Sequence, residues 1–400
     1  MSAINVSRTF NSILGAAGTG KSTWLKTQLE RDKYFAFVTS STGISALNVD
    51  GITIHSALQY YDSASLVKAF QTGKLITRLA AIAEKYEYLC IDEISMLPGE
   101  QLNIICYAIL VLNKSYDYDL KLIVLGDAAQ LPTVKANKFF FESKFWSDFS
   151  HNYLTIVRRQ SDREFINFLN CARLGQIKQE LTWYLNNIGF TNKIDSNFAG
   201  TTILSTNREV NRFNLNALKK INKPVYTYVT NYSGKQKPEW KHIPEKLYLK
   251  PSCKIIITIN NHREGYCNGD LATVHKCYSN CVEVVLDRTG EVHTIGYETR
   301  CNTPPLKQYP IGTIYYLPVK LAYALTIHRV QGLTLDKMQC RITDNFLPNL
   351  SGGLYVLFSR IRNYQNLTVV GNERQLIKAN FVDPKIKEFL MKHELIVHSF

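Results

Sequence analysis

No apolar run in the 400 residues is longer than Ile104 to Leu112, about half of the roughly 18 residues a membrane-spanning helix needs. Proline (12) and glycine (21) are too few, and too evenly spread, for a collagen-like or low-complexity chain. There is no internal repeat, no long Gly/Ser linker and no Cys-x-x-Cys pair. The nine cysteines are odd in number and scattered, which excludes a disulfide scaffold. Met1 to Phe10 lacks an apolar signal core. These absences together predict a reducing, intracellular setting and no membrane partner. Acidic residues are also scarce: 33 against 47 basic ones, a formal charge of +14.

The remaining composition is that of a packed protein. A hydrophobic fraction of 45% fills real cores. At roughly 150 residues per domain the length allows two to three domains. The positive excess is distributed rather than gathered in a tail, so it predicts a basic surface or channel facing a polyanion, most simply nucleic acid. The 23 tyrosines and 19 phenylalanines include rings that suit stacking on single-stranded bases, although most must be core. Four cysteines from Cys267 to Cys301, with His275 and His293, match no standard zinc spacing and read as buried or surface thiols.

Short apolar runs (Phe10–Leu14, Phe35–Thr39, Tyr88–Ile91, Lys121–Gly126) alternate with helical patterns (Ser22–Glu30, Pro98–Leu112), which predicts a parallel sheet covered by helices. A helical run over 162–174 follows. Near Thr202 a strand and then a helix over Asn207–Lys220 open another α/β unit. From about Lys223 to residue 317, short β-rich runs separated by Gly, Asn and Pro predict an antiparallel, barrel-like insertion. The α/β texture returns after Pro318, with Met338–Ile342 and Leu367–Val370 as strands.

Gly15-Ala16-Ala17-Gly18-Thr19-Gly20-Lys21-Ser22 fits the phosphate-loop pattern at every position, after a predicted strand and opening a predicted helix. Its glycines let backbone N–H groups point at phosphate oxygens, and the helix N-terminus adds partial positive charge. Lys21 would contact the β- and γ-phosphates, and the Ser22 hydroxyl would ligate Mg2+, which prefers oxygen ligands. Leu89-Cys90-Ile91-Asp92-Glu93 is an apolar strand ending in two acids, with Asp92 placed to hold the metal and Glu93 to activate water. Leu125-Gly126-Asp127-Ala128-Ala129-Gln130 repeats the strand-then-polar-turn design. Gln130 is a γ-phosphate sensor candidate, and Asp127 a support for the metal shell or the turn.

The order of these motifs resembles superfamily 1 helicases of subgroup B, the RecD/Dda/Pif-like motors, from about residue 9 to residue 370. Ser41 to Ala46 and Gly51-Ile52-Thr53-Ile54-His55-Ser56 resemble motif Ia and the element after it, Asp92 to Met96 motif II, and Gly126 to Pro132 motif III. Val157-Arg158-Arg159-Gln160 is similar to motif IV, Ala324 to Thr334 to motif V, and Tyr355 to Arg360 to motif VI. The Pif-like branch matches best.

The resemblance implies an α/β fold of two RecA-like parallel-sheet domains: 1–155, with a wedge insertion at about 57–77, and 156–222 with 318–400. The insertion at 223–317 would be a Src-homology-3-like β-barrel. ATP and Mg2+ would bind between the RecA-like domains, and single-stranded DNA would thread across them with 5′→3′ movement, unwinding forked duplex DNA as a monomeric motor. It further implies that Gly15, Ala17, Gly18, Thr19, Gly20, Lys21, Ser22, Thr23, Gln331 and Gly332 hold the nucleotide. Arg159 and Arg360 would be arginine fingers, and Thr42, Thr53, His55, Thr326, His328 and Arg329 would face the nucleic acid. Tyr60, Tyr61 and Phe70 are wedge rings that could separate strands or simply pack. Phe139-Phe140-Phe141, Phe145 and Trp146 read as core. Relatives carry an adenine-reading Gln upstream of the phosphate loop; with 14 residues before Gly15 and Gln28 the first Gln, adenine selectivity is an open point. A viral-type RNA helicase and an ATP-gated nucleic-acid binding switch that never unwinds remain alternatives.

Overall fold

The computed structural model describes residues 8–30, 36–41, 45–46, 49, 51–132, 138–178, 180–236, 240, 243–259, 261, 264–266, 268–302, 309–342 and 347–394. The chain groups into two compact units, residues 1–194 with 330–400, and residues 195–329.

The first unit is built on a six-stranded sheet of β1 (Phe10–Gly15), β2 (Ala36–Ser40), β3 (Ile52–Thr53), β4 (Tyr88–Asp92), β5 (Lys121–Gly126) and β6 (Ser150–Leu154), in the order β3-β2-β4-β5-β1-β6. Every pairing is parallel. Strands β1 and β4 are buried along their whole length, and β5 along all but its first residue. Near-continuous apolar runs are what a parallel sheet covered on both faces requires. Two polar residues are buried inside β1: Asn11 Nδ2 donates to the Arg8 carbonyl at 2.6 Å while its Oδ1 finds no partner, and Ser12 Oγ lies 2.7 Å from His151 Nδ1. The order places β4, β5 and β1 side by side. The phosphate loop, the acidic pair and the Gly126-Asp127 turn therefore leave adjacent carboxyl ends, the usual ligand-binding edge of such a sheet.

The helix Gly99–Tyr116 covers the sheet with Leu102, Ile105, Cys106, Ile109 and Leu112 fully buried. The stretch expected as a wedge folds into two helices, Ser63–Gln71 and Lys74–Ala83, packed against that helix. Asp62 and Ser65 form a reciprocal capping box at the first, and Gly73 turns between the two at φ 72°. Tyr60 is buried with its hydroxyl 3.1 Å from Gln101 Oε1, and Phe70 packs edge-on against Tyr107, so both belong to local packing; Tyr61 is 84% exposed. Phe140 and Trp146 are core, as expected, and the helix Pro384–Glu394 docks there by stacking Phe389 on Phe141 at 4.3 Å.

In the second unit Thr201–Leu204 pairs in parallel with Ala324–Thr326. Asn214, on the helix Asn207–Lys220, clamps the second of these strands by donating to the Ala324 carbonyl and accepting its N–H at 2.7 Å. The β-rich part forms a five-stranded antiparallel sheet, a three-stranded sheet and a two-stranded ribbon. Alternating burial, as in Cys281–Leu286, puts Val282, Val284 and Leu286 into one core with Tyr228, Leu249, Ile255, Ile257 and Val274. Among the described residues no helix is long and apolar enough to cross a membrane.

Candidate active site

The phosphate loop turns off β1 at Gly15, where a Cβ would strike the Leu154 carbonyl of β6. Gly18 and Gly20 take φ of 81° and 87°, left-handed values that strain any side chain. The helix Lys21–Glu30 starts directly from the loop, with Trp24 N–H donating to the Gly20 carbonyl at 2.7 Å. The Gly18 carbonyl accepts the backbone N–H groups of Arg158 and Arg159 at 2.7 and 3.2 Å. Lys21 is buried, and its Nζ donates to the Gly15 and Ala16 carbonyls at 2.8 and 3.0 Å. Burial lowers its pKa, while the charges of Asp127, Glu93 and Asp92 act against that shift. Thr19 is buried, its hydroxyl donating to the Ala16 carbonyl.

At the end of β4, Asp92 accepts the Ser22 hydroxyl on Oδ2 and the Glu93 N–H on Oδ1, both at 2.8 Å. Burial raises the Asp92 pKa against these two bonds and the charge of Lys21. Glu93 sits in the left-handed region at φ 53°, a conformation that carries strain for a non-glycine residue. Its carboxyl is pushed up to about 7, first by burial and then by the neighbouring Asp92 charge. Glu93 Oε2 is buried with no hydrogen-bond partner.

At the end of β5, Asp127 is fully buried and paired with Arg173, while Gln130 is buried with its Oε1 3.4 Å from Gln331 Nε2. Arg360 is 1% exposed. Its Nε donates to the Val356 carbonyl at 2.9 Å and its Nη2 to Ser359 Oγ at 2.8 Å, and burial disfavours its charge while Glu93 favours it. Arg159 Nη1 donates to the Ser359 carbonyl, and Gln160 Nε2 holds the Ser359 and Ile361 carbonyls. Burial and the nearby Arg360 both disfavour the charge of Arg159.

These groups open into one cleft of about 450 Å3, lined by Ala17, Gly18, Gly20, Lys21, Ser22, Thr23, Asp92, Glu93, Gln130, Arg159, Gly332 and Arg360, together with Lys26, Ser45, Arg158 and Arg362. Most of the catalytic and nucleotide-binding residues expected from sequence thus share one cavity. Gly15 shapes it from the strand end. Ala17 lines it but gives its N–H to the Tyr355 hydroxyl at 2.6 Å.

The expected nucleic-acid residues lie elsewhere. Thr53 caps the short helix Ile54–Ala57 by accepting the Ser56 N–H, and His55 is half-buried with its ring 4.5 Å from that of Tyr60. Burial lowers the His55 pKa. In the second unit Thr326 ends its strand buried, and His328 and Arg329 follow it half-buried. Thr42 lies outside the described residues.

The model of the PIF1-like helicase family matches residues 2–182. The chain is 27% identical to the ATP-dependent DNA helicase Pif1 of Campylobacter jejuni over 96% of its own length and 94% of that protein. Its fold is similar to the crystal structure of the Pif1 helicase from Candida albicans, at a TM-score of 0.76 and 26% identity, covering 96% and 94% of the two chains. It is similar as well to Bacteroides Pif1 in complex with ADP-AlF3 and single-stranded DNA, at a TM-score of 0.73 and 25% identity over 97% and 95%. The chain belongs to the Pif1/RecD-like helicases of superfamily 1. With the family comes its α/β fold of two RecA-like domains.

Two residues of this Pif1-like site escaped the sequence reading. In the sequence Tyr355 is only the first residue of motif VI, yet its hydroxyl reaches the phosphate loop. Arg173 carries no motif and sits in the last turn of an amphipathic helix, where a cation reads as a solvated helix end; instead it is 6% exposed against Asp127. No local signal could have found Arg173, because its partner lies 46 residues away.

Proposed function

We propose that this chain is an ATP-dependent DNA helicase that moves 5′→3′ on single-stranded DNA and opens forked duplexes, inside the cell and as a monomeric motor. One observation carries the hydrolytic part. Glu93, whose buried Oε2 has no hydrogen-bond partner, lines the same cleft as the phosphate loop, the buried Arg360 and the half-buried Arg159. A general base needs a free lone pair facing the reacting atoms.

The loop N–H groups and the helix N-terminus cradle the phosphates of ATP. Lys21, which otherwise satisfies two loop carbonyls, turns its ammonium to the β- and γ-phosphates. Ser22 Oγ and Asp92 Oδ2, 2.8 Å apart at the cleft, are a hard-oxygen pair fit for Mg2+. When bound there, the ion neutralises charge on the phosphate oxygens. Glu93 takes the proton of the attacking water, and Gln130 orients that water. Arg159 and Arg360 meet the γ-phosphate as charge redistributes, where guanidinium forks bind oxygen pairs. Thr42, Thr53, His55, Thr326, His328 and Arg329 grip the strand through its backbone, which suits a motor that must not read sequence.

The test is steady-state ATPase without nucleic acid, with single-stranded DNA and with single-stranded RNA at fixed salt, followed by forks carrying a 5′ or a 3′ tail. Strong DNA stimulation with release from the 5′-tailed fork is expected. Stimulation by RNA alone identifies an RNA helicase, and stimulated ATPase without strand release identifies a binding switch.

A further inference from the structure

At the phosphate loop a set of buried polar contacts joins Arg173, Asp127 and Tyr355 to Ala17. Arg173, at the end of the helix Arg163–Arg173, donates from Nε and Nη2 to Asp127 Oδ1 at 3.1 and 2.7 Å. The same oxygen accepts the Ala129 N–H at 3.1 Å. The other oxygen, Oδ2, accepts the Tyr355 hydroxyl at 2.7 Å, and that hydroxyl in turn accepts the Ala17 N–H at 2.6 Å. Asp127, Tyr355 and Arg173 are 0%, 2% and 6% exposed.

We propose that Arg173 and Tyr355 are positioning residues for ATP turnover: through Asp127 they lock the phosphate loop at Ala17 to the helical segment that ends in Arg360. The inference rests on the ATPase reading above.

Stability alone does not call for such an arrangement. A buried ion pair with a buried hydroxyl is often no better than packed apolar side chains, and it is strongly unfavourable once one partner is lost. Its geometry, however, joins four parts of the chain. Tyr355 lies on the helix Gly353–Phe358, and Arg360 follows on the same segment with its N–H bonded to the Leu357 carbonyl at 3.1 Å. Fixing Tyr355 against Ala17 therefore fixes where Arg360 starts from. Just before that helix, Gly352 at φ 71° lies so close to the Ala129 carbonyl that a Cβ would overlap it. The helix thus already rests on the turn that carries Asp127. Because Tyr355 takes the Ala17 N–H, the loop is held at that residue, which itself lines the cleft.

Tyr355→Phe removes one oxygen and keeps the ring. Since Lys21, Ser22 and the loop glycines remain, we expect kcat for DNA-stimulated ATP hydrolysis to fall about tenfold or more, with KM for ATP within about threefold, as for an interaction realised in the transition state. Arg173→Lys, which keeps the charge but loses the fork, should retain more kcat than Arg173→Gln. The double variant Tyr355→Phe/Arg173→Gln should be no more than about twofold worse than its worse single parent, because both act through one carboxylate. Circular dichroism and thermal melting identify variants that fail to fold, and Tyr355→Phe with Arg173→Lys keeps the test available if Arg173→Gln does. Lower melting temperatures with unchanged kcat and KM would overturn the proposal as a purely structural contact. A rise in KM at constant kcat would overturn it too, since the network would then serve nucleotide binding alone. Failure of the ATPase reading looks different: the unaltered protein itself would not hydrolyse ATP.

Discussion

Replacing Glu93 by Gln keeps the shape of the side chain and removes its charge, and the structure sets both consequences. The carboxyl is raised from 4.5 to about 7 by burial and by Asp92. At roughly 1.4 kcal/mol per unit, holding Glu93 ionised in the folded protein costs about 3 kcal/mol above pH 7. The sign follows from proton binding. Below pH 4.5 the folded and unfolded states both carry the proton and nothing is lost. Between 4.5 and 7 the unfolded chain releases it first, so rising pH disfavours folding, and above 7 the full cost applies. Glu93→Gln should therefore match the unaltered protein in stability near pH 4.5 and exceed it by up to about 3 kcal/mol at pH 8, less whatever its amide loses by finding no partner. Activity should move the opposite way. A base of pKa near 7 is about one-tenth ionised at pH 6 and nine-tenths at pH 8, so kcat/KM for ATP should rise about ninefold between them. Glu93→Gln should be slower by about 100-fold or more at every pH, and its residual profile reports the titration of ATP itself. Denaturation across pH 5–8 and ATPase profiles over the same range measure both. A stability difference that does not change with pH, or equal rates for the two proteins, would refute the argument.

Lys21→Ala should abolish turnover, measured as phosphate release; full ATPase would remove the phosphate loop from the site. Ser22→Ala takes one of two adjacent oxygens from the metal position, so the Mg2+ concentration for half-maximal ATPase should rise about tenfold or more, and an unchanged value would move the metal elsewhere. Arg360→Ala should lower kcat by about 10³-fold with little change in nucleotide affinity, measured with a fluorescent ATP analogue. Gly18→Ala places a Cβ 2.7 Å from that of Arg159 at φ 81°, which should cost about 1–2 kcal/mol in denaturant unfolding and weaken nucleotide binding.

The elements around the ATP site were legible in the sequence because their signals are local. The central strands read FNSILG, YLCID and KLIVLG, and runs that apolar announce strands buried on both faces. The strands at the two sheet edges did not announce themselves. Ser150–Leu154 is half-exposed, with polar Ser150, His151 and Asn152, and Ile52–Thr53 is two residues long. The helical pair over 63–83 was missed as well. Its apolar residues Leu66, Leu75, Leu79 and Ile82 find their partner in the helix Gly99–Tyr116, which the residues of the pair themselves do not name.

By itself the sequence determined the phosphate loop, the acidic pair at the end of β4, the arginines near the end of each motif and the order of parts that identifies the family. Those are properties of spacing, and spacing survives without coordinates. Only the tertiary structure decided which of these groups are desolvated and whom they touch. It lifted Glu93 to about 7 and left one of its oxygens unpaired, buried Arg360, and enclosed Arg173, Asp127 and Tyr355 together against Ala17 of the loop. Burial and pairing depend on residues brought together from positions 17, 127, 173 and 355, and no window of sequence contains that energy.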